Sequence, residues 1–269
     1  MAAGGRSAPP LWMAERGDSR VFLFGQMPVK ATTPWLTPAI ESTFQGCREL
    51  WTENPDVDPA AANASIRKII ARGGPSVAQI LPVRDLERLH AVLETAGQKP
   101  GSMDGAPASL AYLQISNLAD MASGTDPAAI PERVLKSRAK VAGKPVHSEW
   151  ASFDEAAQAM APATAAAQLQ LIRKALDDAE GAPSSGHRLA AWMAGDLTDQ
   201  EAEDGRLRRL YPDLYARLQV ERNRAWAPRL MGVMAEPGAC FVCVGFGHLV
   251  GPHSIQSYLT KTGLDVRRV

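Results

Sequence analysis

Two short apolar runs at opposite ends of the chain, Val21-Phe22-Leu23-Phe24 and Cys240-Phe241-Val242-Cys243-Val244, constrain the fold more than any other feature. Each reads as a strand that stops at a glycine and reaches a reporter position three residues later: Pro28 after Gly25, and His248 after Gly245. A side chain just past such a strand end sits where open α/β sheets bind ligands. Both ends of the chain are therefore expected to build one sheet around a common crevice.

The segments between fit that plan. Trp12 to Glu15 and Arg20 to Phe24, split by Gly17-Asp18-Ser19, read as a strand pair. Pro38 to Cys47 reads as a short helix, and Glu49-Leu50-Trp51-Thr52 as a strand carrying Glu53 at its tip before a Pro- and Asp-rich loop. From Pro59 to Pro237 the chain is largely helical by its Ala, Leu, Arg and Gln content, and the Ala156 to Ala167 stretch reads as helix. Glycines at 73–74, 101, 124, 143 and between 181 and 186 punctuate it. A break at Lys144-Pro145-Val146, followed by His147-Ser148-Glu149, is placed to return to the sheet. The end reads as strand (Ala239 to Val244), helix (Pro252 to Lys261, closed by Gly263) and strand (Leu264 to Val269), a βαβ unit. The expected class is α/β: a mixed sheet from both chain ends, with residues 59–237 as a helical cap within a single domain spanning 1–269.

Composition excludes several partners. Lys plus Arg and Asp plus Glu number 29 each, leaving no broad electrostatic footprint for nucleic acid or an anionic membrane. Three cysteines in 269 residues make no disulfide framework, and no run approaches the ~18 apolar residues of a membrane span. Met1 to Pro10 lacks an apolar signal core, so the chain as given reads as soluble, with its compartment and oligomeric state open.

His248 is the first candidate for chemistry, because its small flanking glycines leave room for a metal or a substrate. Glu53 occupies the equivalent end of another strand, and a carboxylate and an imidazole meeting there can ligate a metal or share acid–base work. Each has a plainer reading, as a hydrogen-bonded structural histidine and a solvated loop residue. In the helix Tyr215 to Trp226, Glu221, Arg222, Asn223 and Arg224 fan around the axis, so at most two face one site; Arg222 or Asn223 could fix a carboxylate or carbonyl, or simply belong to a surface charge cluster.

Other patterns carry less. Gly245 to Gly251 looks like a dinucleotide loop with Asp265 downstream, but its spacing is G-x-G-x-x-x-G and His248 stands in the phosphate approach. Cys240 and Cys243, three apart on a strand, point to opposite faces and read as small buried hydrophobes. His90, His187 and His253 read as surface or capping residues.

Taken in order, Leu11-Trp12, Val21 to Gly25, Glu53, Glu221 to Trp226 and Val244 to Gly251 resemble the TraB/PrgY/GumN family, which includes the animal TIKI proteins. Gly124-Thr125-Asp126, Lys144-Pro145-Val146 and Glu149 match weaker features of the pattern. The resemblance implies an erythromycin-esterase-like fold. It also implies a metal-dependent peptidase or esterase site made from two G-x-x-H motifs and a glutamate. Carried over, it places Glu53 and His248 in the site as catalytic groups and ligands of Mn, Co or Zn. Arg222 and Asn223 join them, and Gly25, Gln26, Gly245, Gly247 and Glu149 lie against the substrate. The first motif departs from the pattern: it ends in Pro28, which has neither a ligand atom nor a proton to transfer. Two functions follow as expectations: an atypical metal-assisted hydrolase, or a non-catalytic descendant that binds a peptide or small ligand in the same cleft.

Overall fold

The computed structural model describes residues 8–56, 59–160, 164–181 and 186–269. The chain opens with the hairpin β1 (Leu11–Arg16) and β2 (Ser19–Gln26), turning at Gly17, whose φ of 57° is in the left-handed region that glycine adopts freely. Helix α1 (Pro38–Gly46) starts at Thr37, whose side chain accepts from Ile40 N, and leads into β3 (Glu49–Thr52). The middle contributes α2 (Pro59–Arg72), α3 (Val77–Ile80), α4 (Val83–Thr95), α5 (Ala108–Ala122), α6 (Pro131–Val141), the short β4 (Val146–Ser148), α7 (Phe153–Met160) and α8 (Ala165–Gly181). It continues through α9 (Gly186–Met193), α10 (Thr198–Leu210), α11 (Pro212–Tyr215), a π-helical stretch at Ala216–Glu221 and α12 (Arg222–Val233). Strand β5 (Gly238–Gly245), a 3₁₀ turn at Phe246–Leu249, α13 (Ile255–Lys261) and β6 (Asp265–Arg268) close the chain.

Among the described residues the strands form one six-stranded sheet in the order β4-β3-β5-β2-β1-β6. β2 and β5, from opposite ends of the sequence, are its parallel centre, with Val21 opposite Cys240 and Gln26 opposite Gly245. A parallel pair needs a crossover connection, and here the helical middle supplies it. Both strands are buried on both faces: Leu23, Phe24, Phe241, Val242, Cys243 and Val244 are inaccessible to solvent. β3 and β4 extend the parallel set on one side, while β1 is antiparallel to β2 and to β6 on the other. The sheet is thus mixed and draws on both ends of the chain, as expected.

Three local expectations are corrected. β6 does not neighbour β5; β2 and β1 lie between them, because the exposed edge of β1 was left to pair. Helix α13 begins at Ile255 rather than Pro252, with Ser254 as its cap, accepting from Ser257 N, so His253 caps nothing. The Ala156 to Ala167 stretch spans the end of α7 and the start of α8; residues 161–163 between them lie outside the described set, as do 1–7, 57–58 and 182–185, where the N-terminal, Asp-rich-loop and 181–186 readings fall.

Aromatic packing fixes the helices to the sheet. Phe24 meets Trp35, Trp192 and Phe241 with ring centroids 5.7, 6.1 and 6.0 Å apart, and Phe44 stands edge-on to Phe241 at 5.6 Å. Trp192 of α9 donates its indole N–H to Gly25 O at 2.7 Å, tying the cap to the end of β2. A second apolar cluster, including Leu89, Leu93, Ile115 and Leu176, joins α4, α5 and α8 to one another. No helix among the described residues is long and apolar enough to cross a membrane.

Candidate functional site

Because β2, β3, β4 and β5 run parallel, their C-terminal ends share one edge of the sheet, and the residues that follow them meet there. Glu53 follows β3 and Glu149 follows β4; the pairing runs one step past β4, with Glu149 N donating to Thr52 O at 2.9 Å. His248 follows β5 within the 3₁₀ turn, buried. Arg222 and Asn223 come from the other side, at the start of α12.

These five side chains form one network. Arg222 grips Glu149 with two bonds, Nε to Oε1 at 3.0 Å and Nη2 to Oε2 at 2.5 Å, and the same Nη2 donates to Glu53 Oε1 at 2.6 Å. His248 Nε2 lies 3.0 Å from that same Glu53 oxygen. The other oxygen, Oε2, accepts from Gly245 N at 2.5 Å. On the far side of the ring, His248 Nδ1 is 2.5 Å from Asn223 Oδ1. Asn223 Nδ2 donates to His253 O at 2.7 Å and reaches His248 O at 3.4 Å. Two carbonyls on that end of the amide require it to be the amino group, so Oδ1 faces the ring and Nδ1 donates. Nε2 faces the Glu53 carboxylate, so both ring nitrogens are turned toward oxygens. Glu53 and Arg222 each keep 14% of their side-chain surface exposed, against 2% for Glu149 and 6% for His248, so the opening to solvent is over Glu53 and Arg222.

The charges hold each other. Burial alone would raise the Glu53 pKa, but His248, Arg222 and the Gly245 N–H outweigh it and hold the carboxyl far below the usual range. Burial likewise opposes the Arg222 charge, and Glu53 and Glu149 more than restore it. Trp150 stacks 5.9 Å from the guanidinium, and Arg229 Nη1 donates to Glu149 O at 2.9 Å. Glycine at 245 leaves the carboxylate its room: a Cβ there would lie 3.0 Å from Glu53 Oε2.

The π-helical stretch explains how Arg222 and Asn223, adjacent in sequence, both reach the cluster while Glu221 and Arg224 stay exposed. One residue too many per turn widens the helix just before Arg222, and no motif in the sequence announced it.

Not every expected residue arrives. Gln26 is spent on Glu132, accepting from its N–H at 2.9 Å and donating to its Oε2 at 3.0 Å. Gly25 faces Phe246 and gives its carbonyl to Trp192; Gly247 packs toward Gln219. Pro28 is exposed and lines a cavity of about 460 Å³ with Met27, Tyr112, Ser116, Asp120 and Lys174. Glu53, Arg222 and His248 are not in its wall. Sequence reasoning missed Glu132, a buried carboxylate whose pKa is raised by burial and by the charge of Glu53 against the pull of Lys136. It also missed Trp150; adjacency to Glu149 was its one available signal. Cys240 and Cys243 are buried free thiols, as their strand spacing requires.

A metal ion does not fit this arrangement. Glu53 and Glu149 spend their oxygens on Arg222, His248 and Gly245 N. Among the described residues no three His, Cys, Asp or Glu side chains are grouped to hold one.

The chain matches no curated protein and no solved structure. The TraB/PrgY/gumN family model matches residues 10–268, from the start of the hairpin to the end of β6, and the chain belongs to that family.

Proposed function

We propose that the chain is a hydrolase of peptide or ester carbonyls whose acid–base work is done by Glu53 and His248, with Arg222 as the electrophile. The observation that supports this reading is the convergence of a guanidinium and an oriented imidazole on one partly exposed carboxylate oxygen, Glu53 Oε1. Arg222 Nη1 makes none of the cluster's hydrogen bonds, which leaves it to donate to a carbonyl oxygen as negative charge develops there. The hydrogen-bonded Glu53–His248 pair takes a proton from the attacking water as the water oxygen bonds the carbonyl carbon. When the intermediate collapses, that proton passes to the departing nitrogen or oxygen. His248, held by Asn223, keeps Glu53 ionised between turnovers and balances the charge as the proton moves. Every step uses groups of this chain alone.

The test is incubation of the protein with a mixture of short peptides and carboxylic esters, products followed by mass spectrometry. Wild type is expected to cleave a subset, and Glu53→Gln to lose about 10²- to 10⁴-fold in rate, the range for a positioned acid–base group. Absence of cleavage by wild type overturns the reading. A second reading, a protein that binds a peptide or small ligand without turnover, is favoured by Pro28, which stands where the family resemblance calls for a histidine and has no group to titrate. Saturable binding of an uncleaved member of the mixture would establish it.

A further inference from the structure

We propose that Glu132 and Lys136, one turn apart on α6, are the positioning residues of the site: by gripping Asn54 they fix where the carboxylate of the preceding residue, Glu53, stands. The catalytic consequence rests on the hydrolase reading, and the placement of Glu53 does not. Helix α6 holds Asn54 at its N–H, its side chain and its carbonyl. Glu132 Oε1 accepts from Asn54 N at 3.3 Å, Glu132 Oε2 accepts from Asn54 Nδ2 at 3.1 Å, and Lys136 Nζ donates to Asn54 O at 2.5 Å. The two α6 side chains also pair with each other at 3.0 Å. Asn54 itself is exposed, so these bonds set its place rather than burial, together with Thr52 Oγ1, which donates to Asn54 O at 3.1 Å. The clamp is anchored to the sheet through Gln26 at the end of β2, which accepts from Glu132 N at 2.9 Å and donates to Glu132 Oε2 at 3.0 Å. Helix α6 thus ties the ends of β2 and β3 together, one residue from the carboxylate on which Arg222 and His248 converge.

The chemistry of the pair suits positioning. N–H donors from Asn54 N, Asn54 Nδ2, Gln26 Nε2 and Lys136 Nζ all meet the two Glu132 oxygens. An ionised carboxylate accepts from all of them, whereas a glutamine would turn an amino group toward two. That charge is held against opposition: burial and the charge of Glu53 raise the Glu132 pKa, while Lys136 and Asn54 pull it down. A group placed to stabilise the Glu53 charge would be a cation, so an anion here acts through its bonds. Small displacements matter at this site. A shift of about 1 Å in Glu53 would carry its 2.6 Å contact with Arg222 and its 3.0 Å contact with His248 out of hydrogen-bond range.

The Gly245 amide reports the Glu53 carboxylate without any substrate, because Gly245 N donates to Glu53 Oε2 at 2.5 Å. Amide hydrogen exchange of the ¹⁵N-labelled full chain is followed by NMR for wild type, Glu53→Ala, Glu132→Gln and Lys136→Met. The expected result is Gly245 exchange faster by about 10-fold or more in all three variants, with the amides of Phe241 to Cys243 within about 3-fold of wild type. If Glu132→Gln does not fold, Lys136→Met decides alone, since it keeps the Glu132 bonds to Asn54 and Gln26. On a substrate that wild type cleaves, the two α6 variants should lower kcat by about 10-fold or more and change KM by less than about 2-fold. Absence of any cleavage overturns the hydrolase reading and leaves the exchange result to decide the placement of Glu53. Gly245 exchange unchanged in the folded variants overturns the proposal. So does faster exchange spread evenly along β5, and so does collapse of both α6 variants, because the pair then serves the fold as a whole.

Discussion

Replacing Glu53 with glutamine keeps the shape of the cluster and removes one charge, which makes it the sharpest probe of how the network is held. The Glu53 carboxylate sits 2.6 Å from Arg222 Nη2 and 3.0 Å from His248 Nε2, with 14% of its side chain exposed. Breaking a buried pair by removing one partner costs about 3–5 kcal/mol, mostly the uncompensated charge left behind. Here Glu149 still grips Arg222, so the cost falls at or just below the lower end, about 2–3 kcal/mol. For a chain of this size that lowers Tm by about 4–12 °C. Arg222→Met strips both carboxylates of their partner and costs more, about 3–5 kcal/mol. Because the two residues share a bond, the double variant is expected to be less destabilised than the two single effects added, by at least about 1 kcal/mol. Urea denaturation of the four proteins at pH 7 with chelator present measures the cycle. Additivity within about 0.5 kcal/mol would refute the coupling between Glu53 and Arg222.

Other perturbations give equally definite results. Because Glu53 titrates below its unfolded value of about 4.3, its contribution is fully present above that pH and is lost as pH falls through the folded value; the stability gap between wild type and Glu53→Gln, followed by melts from pH 8 to pH 3, should be constant down to about pH 5 and then close. Asp120 behaves oppositely: burial, with the charge of Asp178, raises its pKa to about 6, so Asp120→Asn should stabilise the protein above that pH, with the gain fading between about pH 6 and pH 4 and absent below. Gly245→Ala should displace the Glu53 carboxylate and lower any turnover while the melting profile keeps a single transition, since the added methyl meets a side-chain oxygen and not backbone. Trp192→Phe should cost about 1–3 kcal/mol in a urea titration, because it leaves the buried Gly25 carbonyl without its 2.7 Å donor.

The parts of the fold that were legible in the sequence are those fixed by local pattern. Apolar runs ended by glycines gave β2 and β5, so Glu53 and His248 could be placed at strand tips before any distances were known, while Glu149 entered only through the family resemblance. The fan of Glu221 to Arg224 limited the site to two of the four, and Arg222 and Asn223 are those two. What stayed hidden depends on partners far along the chain. The position of β6 is decided by which edge is left unpaired, and the role of Gln26 by Glu132, 106 residues away. A charge pattern also cannot distinguish an arginine that binds substrate from one that already holds two carboxylates.

The most direct test of the central claim, that Glu53, His248 and Arg222 form a working acid–base site without a metal, is the turnover number of chelator-stripped wild type beside His248→Ala. Both are assayed on whichever peptide or ester the mixture identifies, with and without an excess of chelator. The account predicts the same turnover for wild type in both conditions and a loss of about 100-fold or more in His248→Ala. Turnover that disappears with chelator and returns with a divalent metal, or that is unchanged in His248→Ala, would contradict it.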